Sequence, residues 1–146
     1  MSEIDLKILI VDDSDIEMDM YKLIFPLEGF EVVSASNKDE AVMQALLQKP
    51  NIILLDFHLG DYTGFDVIKE LRSHKSLQDI PVVFISGTRD EENVRHGHFL
   101  GSIDFLAKQP NLKSIAKYIK ELAIYESIGS SLRRIEQILD RRIAAQ

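Results

Sequence analysis

The chain contains no cysteine. That absence excludes disulfides, thiol catalysis and cysteine-ligated zinc. Long hydrophobic runs are missing too: no apolar stretch approaches the roughly 18–20 residues needed to cross a bilayer. Met1 to Ile10 alternates charged with apolar residues and lacks the apolar stretch of a secretory signal. A cytoplasmic protein without membrane attachment is expected. Positive charge is the third scarce quantity. With 17 lysines and arginines against 24 acids, the formal net charge is −7, the reverse of the basic surplus that nucleic-acid backbones attract. Direct contact with nucleic acid is not expected. What is present is an ordinary globular composition: 146 residues, 45% hydrophobic and 28% charged. That is enough for one domain with a core and too little for two of full size.

Leu6–Val11 (LKILIV) is a short, nearly continuous apolar run that stops at Asp12 and Asp13. Runs of this kind, bounded by polar residues, are the pattern of strands covered on both faces. Ile52–Leu55 and Val82–Ile85 repeat it, and Glu31–Ala35 and Ile103–Leu106 repeat it more weakly. Helical spacing lies between. Ile16, Met20, Leu23 and Ile24 fall on one face; so do Ala41, Met43 or Ala45, and Leu46; so do Val67, Ile68 and Leu71. Helix starts are expected at Ser14 or Asp15, at Ser36 or Asn37 with Glu40, and at Thr88 with Glu91. Pro50 and Pro81 stand where a helix must give way to a strand. Five strands alternating with about five helices predict an α/β domain with a parallel sheet and right-handed crossovers.

In an open parallel sheet, ligands bind beyond the carboxyl ends of the strands. The first apolar run ends in Asp12 and Asp13, the third in Asp56 and the fourth in Ser86, and Lys108 follows the fifth. Three carboxylates, a hydroxyl and an ammonium therefore converge on one edge. Clustered carboxylates repel one another unless a cation binds. Oxygen-only donors of this kind suit Mg²⁺, which takes one or two carboxylates together with water and phosphate oxygens. A carboxylate oxygen can attack a phosphoryl group and form an acyl phosphate, with metal, lysine and hydroxyl offsetting charge on the transferring group.

Over about its first 120 residues the chain resembles the receiver domain of two-component response regulators. ILIVDDS resembles the family's acidic pair, which implies that Asp13 holds Mg²⁺ directly and Asp12 partly through water. IILLDFHLGDYTGFD resembles the phosphorylation loop, making Asp56 the phospho-acceptor and the backbone carbonyl of His58 a further metal donor. VVFISG resembles the switch strand, with Ser86 as the hydroxyl that turns toward the phosphoryl group. GSIDFLAKQP resembles the last motif, with Lys108 as the phosphate-pairing cation and Phe105 as an aromatic that turns inward on activation. Gly64 falls where the family usually has a glycine. The resemblance implies a flavodoxin-like, doubly wound, five-stranded parallel sheet of order 2-1-3-4-5 with five flanking helices. It also implies a phosphohistidine donor, either a sensor histidine kinase or a histidine phosphotransfer protein. A downstream protein partner would be engaged through the face of the fourth helix, fifth strand and fifth helix, which is also a candidate homodimer face.

The chain departs from the family pattern in places. Gly60 stands where a proline is common, four residues after the acceptor, and leaves that loop looser. Gln109 separates Lys108 from Pro110, where the family usually has the proline directly. A cis bond after Lys108 is then costly. Gly87 leaves the region beside Ser86 open to partners or water.

Other readings of the same residues exist. Acids after a buried strand are often only turn and cap residues; it is the five-residue set that carries the chemistry. An aspartyl-phosphate phosphohydrolase of haloacid-dehalogenase type also uses a strand-end Asp, a Ser/Thr and a Lys, but it has Asp-x-Asp where this chain has Asp56-Phe57-His58, and there is no room for a cap domain. A phosphorylation-independent scaffold of the same shape would not need the intact acids. The chain is therefore expected to catalyse only its own phosphorylation and dephosphorylation. His96 and His98, separated by one residue, point to opposite sides of a helix and cannot readily share an ion.

Residues 1–125 are read as the receiver domain and 126–146 as a helical tail for dimerisation, docking or linkage. Ile128, Leu132, Ile135 and Leu139 recur at spacings of four, three and four. Gly129-Ser130-Ser131 either breaks the tail from the fifth helix or is spanned by one continuous helix.

Overall fold

The computed structural model describes residues 5–145; Met1–Ile4 and Gln146, the outer ends of the two segments marked out above, lie outside the described residues. Five strands form one parallel sheet: β1 (Leu6–Val11), β2 (Phe30–Ala35), β3 (Ile52–Asp56), β4 (Val82–Ser86) and β5 (Ser102–Ala107). Their spatial order is β2-β1-β3-β4-β5, as expected. The helices between and after them are α1 (Asp15–Ile24), α2 (Lys38–Gln48), α3 (Gly64–Ser73), α4 (Glu91–Phe99) and α5 (Leu112–Ala144).

Alternation along the strands explains the two layers. Successive side chains point to opposite faces, so Leu9, Val11, Ile53, Leu55, Val82 and Phe84 meet α2 and α3 through Ala41, Ala45, Val67, Ile68 and Leu71. Leu6, Ile8, Ile10, Ile52, Leu54 and Val83 meet α1 and α5 through Met18, Tyr21, Ile115 and Ile119. The central strands are apolar on both sides because both sides are covered.

Asn37 caps α2 by accepting the Glu40 amide at 2.9 Å, and Ser14 caps α1 by accepting the Glu17 amide at 3.2 Å. The cap of α4 is Asp90, which accepts the amides of Glu92 and Asn93 at 2.8 and 3.3 Å, rather than Thr88. An aspartate one residue before the helix reaches those donors directly.

The buried face of α1 differs from the expected one. Met18 and Tyr21 enter the core, with Phe25 just beyond the helix, while Ile16, Met20 and Leu23 are exposed. Several apolar positions compete on this helix, and spacing alone does not say which face the sheet takes. Likewise Ala45 is buried on α2, whereas Met43 and Leu46 are exposed. α5 runs unbroken for 33 residues through Gly129, Ser130 and Ser131.

Candidate functional site

The carboxyl ends of β1, β3, β4 and β5 open onto one edge, and α1 begins there. Asp12 directly follows β1 and is nearly buried; its backbone amide donates to the Ala35 carbonyl at 3.1 Å, and its Oδ1 accepts the Ser14 amide at 2.8 Å. Its other carboxylate oxygen, Oδ2, is buried without a hydrogen-bond partner. Asp56 ends β3, also nearly buried, and its Oδ1 accepts the His58 amide at 3.3 Å. Asp13 is exposed beside them. Oxygens of Asp12, Asp13 and Asp56 lie within 4.8 Å of one another.

Lys108 faces this group from the end of β5. Its backbone amide donates to the Ser86 carbonyl at 2.7 Å, which ties the ends of β4 and β5 together. Its ammonium lies 3.3 Å from Asp56 Oδ2, 4.0 Å from Asp12 Oδ2 and 2.7 Å from Glu17 Oε2. The shortest of these contacts is with an acid that strand-end reasoning did not select. Glu17 sits in the first turn of α1, and helical side chains tilt toward the helix N-terminus, which here points into the acidic edge. That tilt is the signal that could have found it.

Electrostatics at this edge follow from burial. Burial pushes the Asp12 carboxyl up to about 8, with Glu17 beside it and the charge of Asp56 adding to the rise and the Ser14 amide opposing it. Burial also raises Asp56, against the pull of Lys108 and the His58 amide. Glu17 is held below its ordinary value, first by Asp12 beside it and then, against burial, by Lys108. For Lys108 burial works downward, but Glu17, Asp56 and Asp12 together outweigh it and hold the ammonium above its usual value.

An orphaned buried carboxylate oxygen within a trio of oxygen donors fits a hard divalent cation. The residues present therefore fit Mg²⁺. The backbone of His58 pairs with Thr63 in a short antiparallel hairpin, His58–Leu59 with Tyr62–Thr63, whose turn contains Gly60 at φ 62°. A residue with a side chain rarely adopts that conformation. Ser86 is buried, and its hydroxyl oxygen accepts the Thr88 amide at 3.4 Å. A Cβ placed on Gly87 meets nothing within 4 Å, which agrees with an open flank there. Every peptide bond among the described residues is trans, including the one after Lys108.

Phe105 lies away from the acidic edge, already turned into the core. Its ring centroid is 5.6 Å from those of both Phe57 and Phe84. Phe57, the residue after Asp56, was not singled out from sequence. It also packs edge-on against Phe65 at 4.9 Å, and Phe65 in turn meets His96 on α4 at 4.6 Å. An aromatic cluster thus runs from the residue beside Asp56 to α4. His96 and His98 are exposed and share no site.

Comparison with known proteins decides the family. Residues 8–120 match the response regulator receiver domain. The chain belongs to this family. The receiver is 34% identical over 116 residues to protein PilH of Pseudomonas aeruginosa, an alignment covering 77% of this chain and 93% of PilH. It is 30% identical over 125 residues to the transcriptional regulatory protein KdpE of Staphylococcus aureus, covering 86% of this chain and 52% of KdpE. The receiver thus spans about half the length of KdpE. Among solved structures it is similar to the phosphorylated cyanobacterial phytochrome response regulator RcpA, with 28% identity and a TM-score of 0.71 over 83% of this chain and 95% of RcpA. No helix among the described residues is long and apolar enough to cross a membrane.

Proposed function

We propose that this receiver accepts a phosphoryl group on Asp56 from a phosphohistidine donor and uses the modified state to change partner binding. The observation that carries the reading is the buried Asp56 carboxylate, 3.3 Å from the Lys108 ammonium and grouped with two further carboxylates, one bearing a buried oxygen without a hydrogen-bond partner. A carboxylate oxygen of Asp56 attacks the phosphorus, the P–N bond breaks, and the imidazole leaves with that electron pair. Lys108 sets positive charge beside the phosphoryl oxygens, and the Ser86 hydroxyl at the end of β4 supplies a donor. Mg²⁺, held by Asp12, Asp13, Asp56 and the His58 carbonyl, would neutralise charge on the phosphoryl oxygens. Water later attacks the acyl phosphate and releases inorganic phosphate. The chain catalyses only these two steps on itself.

The donor is a sensor histidine kinase or a histidine phosphotransfer protein. Ile16, Met20, Leu23 and Leu27 form an exposed apolar stripe on and just beyond α1, 49–77% exposed, beside the acidic edge. A protein donor must cover this edge, and an apolar face next to the reacting carboxylate suits that contact. The output surface is α4-β5-α5, to which the aromatic cluster around Phe57 and Phe105 connects. The protein acts in the cytoplasm.

Incubation with a small phosphodonor and Mg²⁺, followed by intact-mass measurement, tests the transfer. One added phosphoryl group is expected, absent after Asp56→Asn and absent when divalent ions are chelated. No addition, or addition that survives Asp56→Asn, contradicts the reading.

A further inference from the structure

Beyond the receiver body, α5 carries an apolar stripe that none of the described residues covers. Tyr125, Ile128, Leu132, Ile135, Leu139 and Ile143 are each more than half exposed. Ile115, Ala116, Ile119 and Ala123 bury the other side of the helix against the sheet. At about 100° per residue, the stripe points away from the body, so a second helix can lie along it without meeting the sheet.

We propose that the stripe is the interface of a homodimer in which two copies of α5 pack antiparallel, with the two-fold axis between Arg133 and Arg134. The occupant is a second copy because the seam is complementary to itself when reversed. Its spacing of four and three also takes in Glu121 at one end and Arg142 at the other, both exposed. Parallel pairing would set Glu121 against Glu121 and Arg142 against Arg142, like charges in the seam. Reversal removes both conflicts. Leu132 then meets Ile135, Ile128 meets Leu139, and Arg142 lies over the Tyr125 ring within a turn of Glu121, a cation–π contact with an acid nearby. Every central layer is apolar against apolar.

Length supports the same conclusion. Tyr125 to Arg142 spans ~26 Å of helix. The segment continues a helix already anchored on the body, and its exposed apolar face is stabilised further when packed against a second helix. The interface stands on the helix surface alone and is independent of the phosphoryl-acceptor reading.

Sedimentation equilibrium of the full chain tests it. A mass twice the 16.6 kDa of one chain is expected at high concentration. Leu132→Glu and Ile135→Glu alter exposed positions, so the receiver body should melt unchanged while association weakens ~100-fold or more. Because the chain has no cysteine, introduced thiols report direction. The double variant Ile128→Cys, Leu139→Cys should form an inter-chain disulfide on oxidation. Ile128→Cys alone should not, since its two copies would lie ~16 Å apart along the axis. A monomer at all concentrations, or a dimer indifferent to Leu132→Glu, overturns the interface. Efficient cross-linking of Ile128→Cys alone overturns the antiparallel arrangement.

Discussion

Glu17 and Asp12 carry the most informative charges at this edge. Asp12 binds its proton more tightly folded than unfolded, so with divalent ions chelated the folded state holds more protons across the interval from the ordinary carboxylate range up to about 8. Stability then falls as pH rises through that interval. The contribution of Asp12 is fully present below pH ~4 and lost as pH passes about 8. Urea melts across this range should show the decline, and Asp12→Asn should flatten it. Glu17→Gln removes a neighbouring acid, so the Asp12 carboxyl should titrate lower, which carbon-detected NMR reads directly. An Asp12 midpoint unmoved by Glu17→Gln would contradict the coupling. The strand-end acids, Ser86 and Lys108 were legible in the sequence because buried runs stop at them. Glu17 was not, because its role depends on the direction in which α1 leaves the edge, and Phe57 was not, because an aromatic beside a strand reads as core.

At the scale of elements, α1 shows where periodicity stops being sufficient. Its sequence offers one apolar face to the sheet through Met18 and Tyr21 and another to solvent through Ile16, Met20 and Leu23. Hydrophobic spacing describes both equally, and only the position of the sheet separates them. If the outer stripe receives a protein donor, Leu23→Ser should change stability by no more than ~0.5 kcal/mol and leave labelling by a small phosphodonor intact. Transfer from the cognate phosphohistidine protein should slow at least tenfold. Equal slowing with both donors would remove α1 from the docking account. β4, by contrast, was legible as a buried strand, but its packing was not. Phe84 is wedged between α3 and α4, where an added Cβ would come within 2.7 Å of its ring at Gly64 and 3.0 Å at Gly97. Phe84 is fully buried and the clash is closest at Gly64, so Gly64→Ala should destabilise by ~1–3 kcal/mol through overpacking. Chemical denaturation checks this, and an unchanged midpoint would contradict it.

For the molecule as a whole, the order β2-β1-β3-β4-β5 gathers residues from positions 12 to 108 onto one edge. That architecture could be read from alternating runs and the family resemblance. The unbroken course of α5 could not, because glycine and two serines permit either outcome. A ligand that binds only the folded state raises its apparent stability by mass action. Mg²⁺ in excess of its dissociation constant should therefore raise the melting temperature of the wild-type chain. Asp13→Asn should lose most of that gain while keeping the fold. An equal gain from K⁺ would show that screening, and not the acidic edge, is responsible.

A phosphoryl group accepted by Asp56 would reside there as an acyl phosphate. Borohydride reduces an acyl phosphate to the alcohol, so treating the phosphodonor-labelled chain and mapping its peptides locates the modified carboxyl. Conversion is expected at Asp56 alone, dependent on Mg²⁺ and abolished in Asp56→Asn. Conversion at Asp12 or Asp13, or none in a chain that has gained phosphoryl mass, would contradict it.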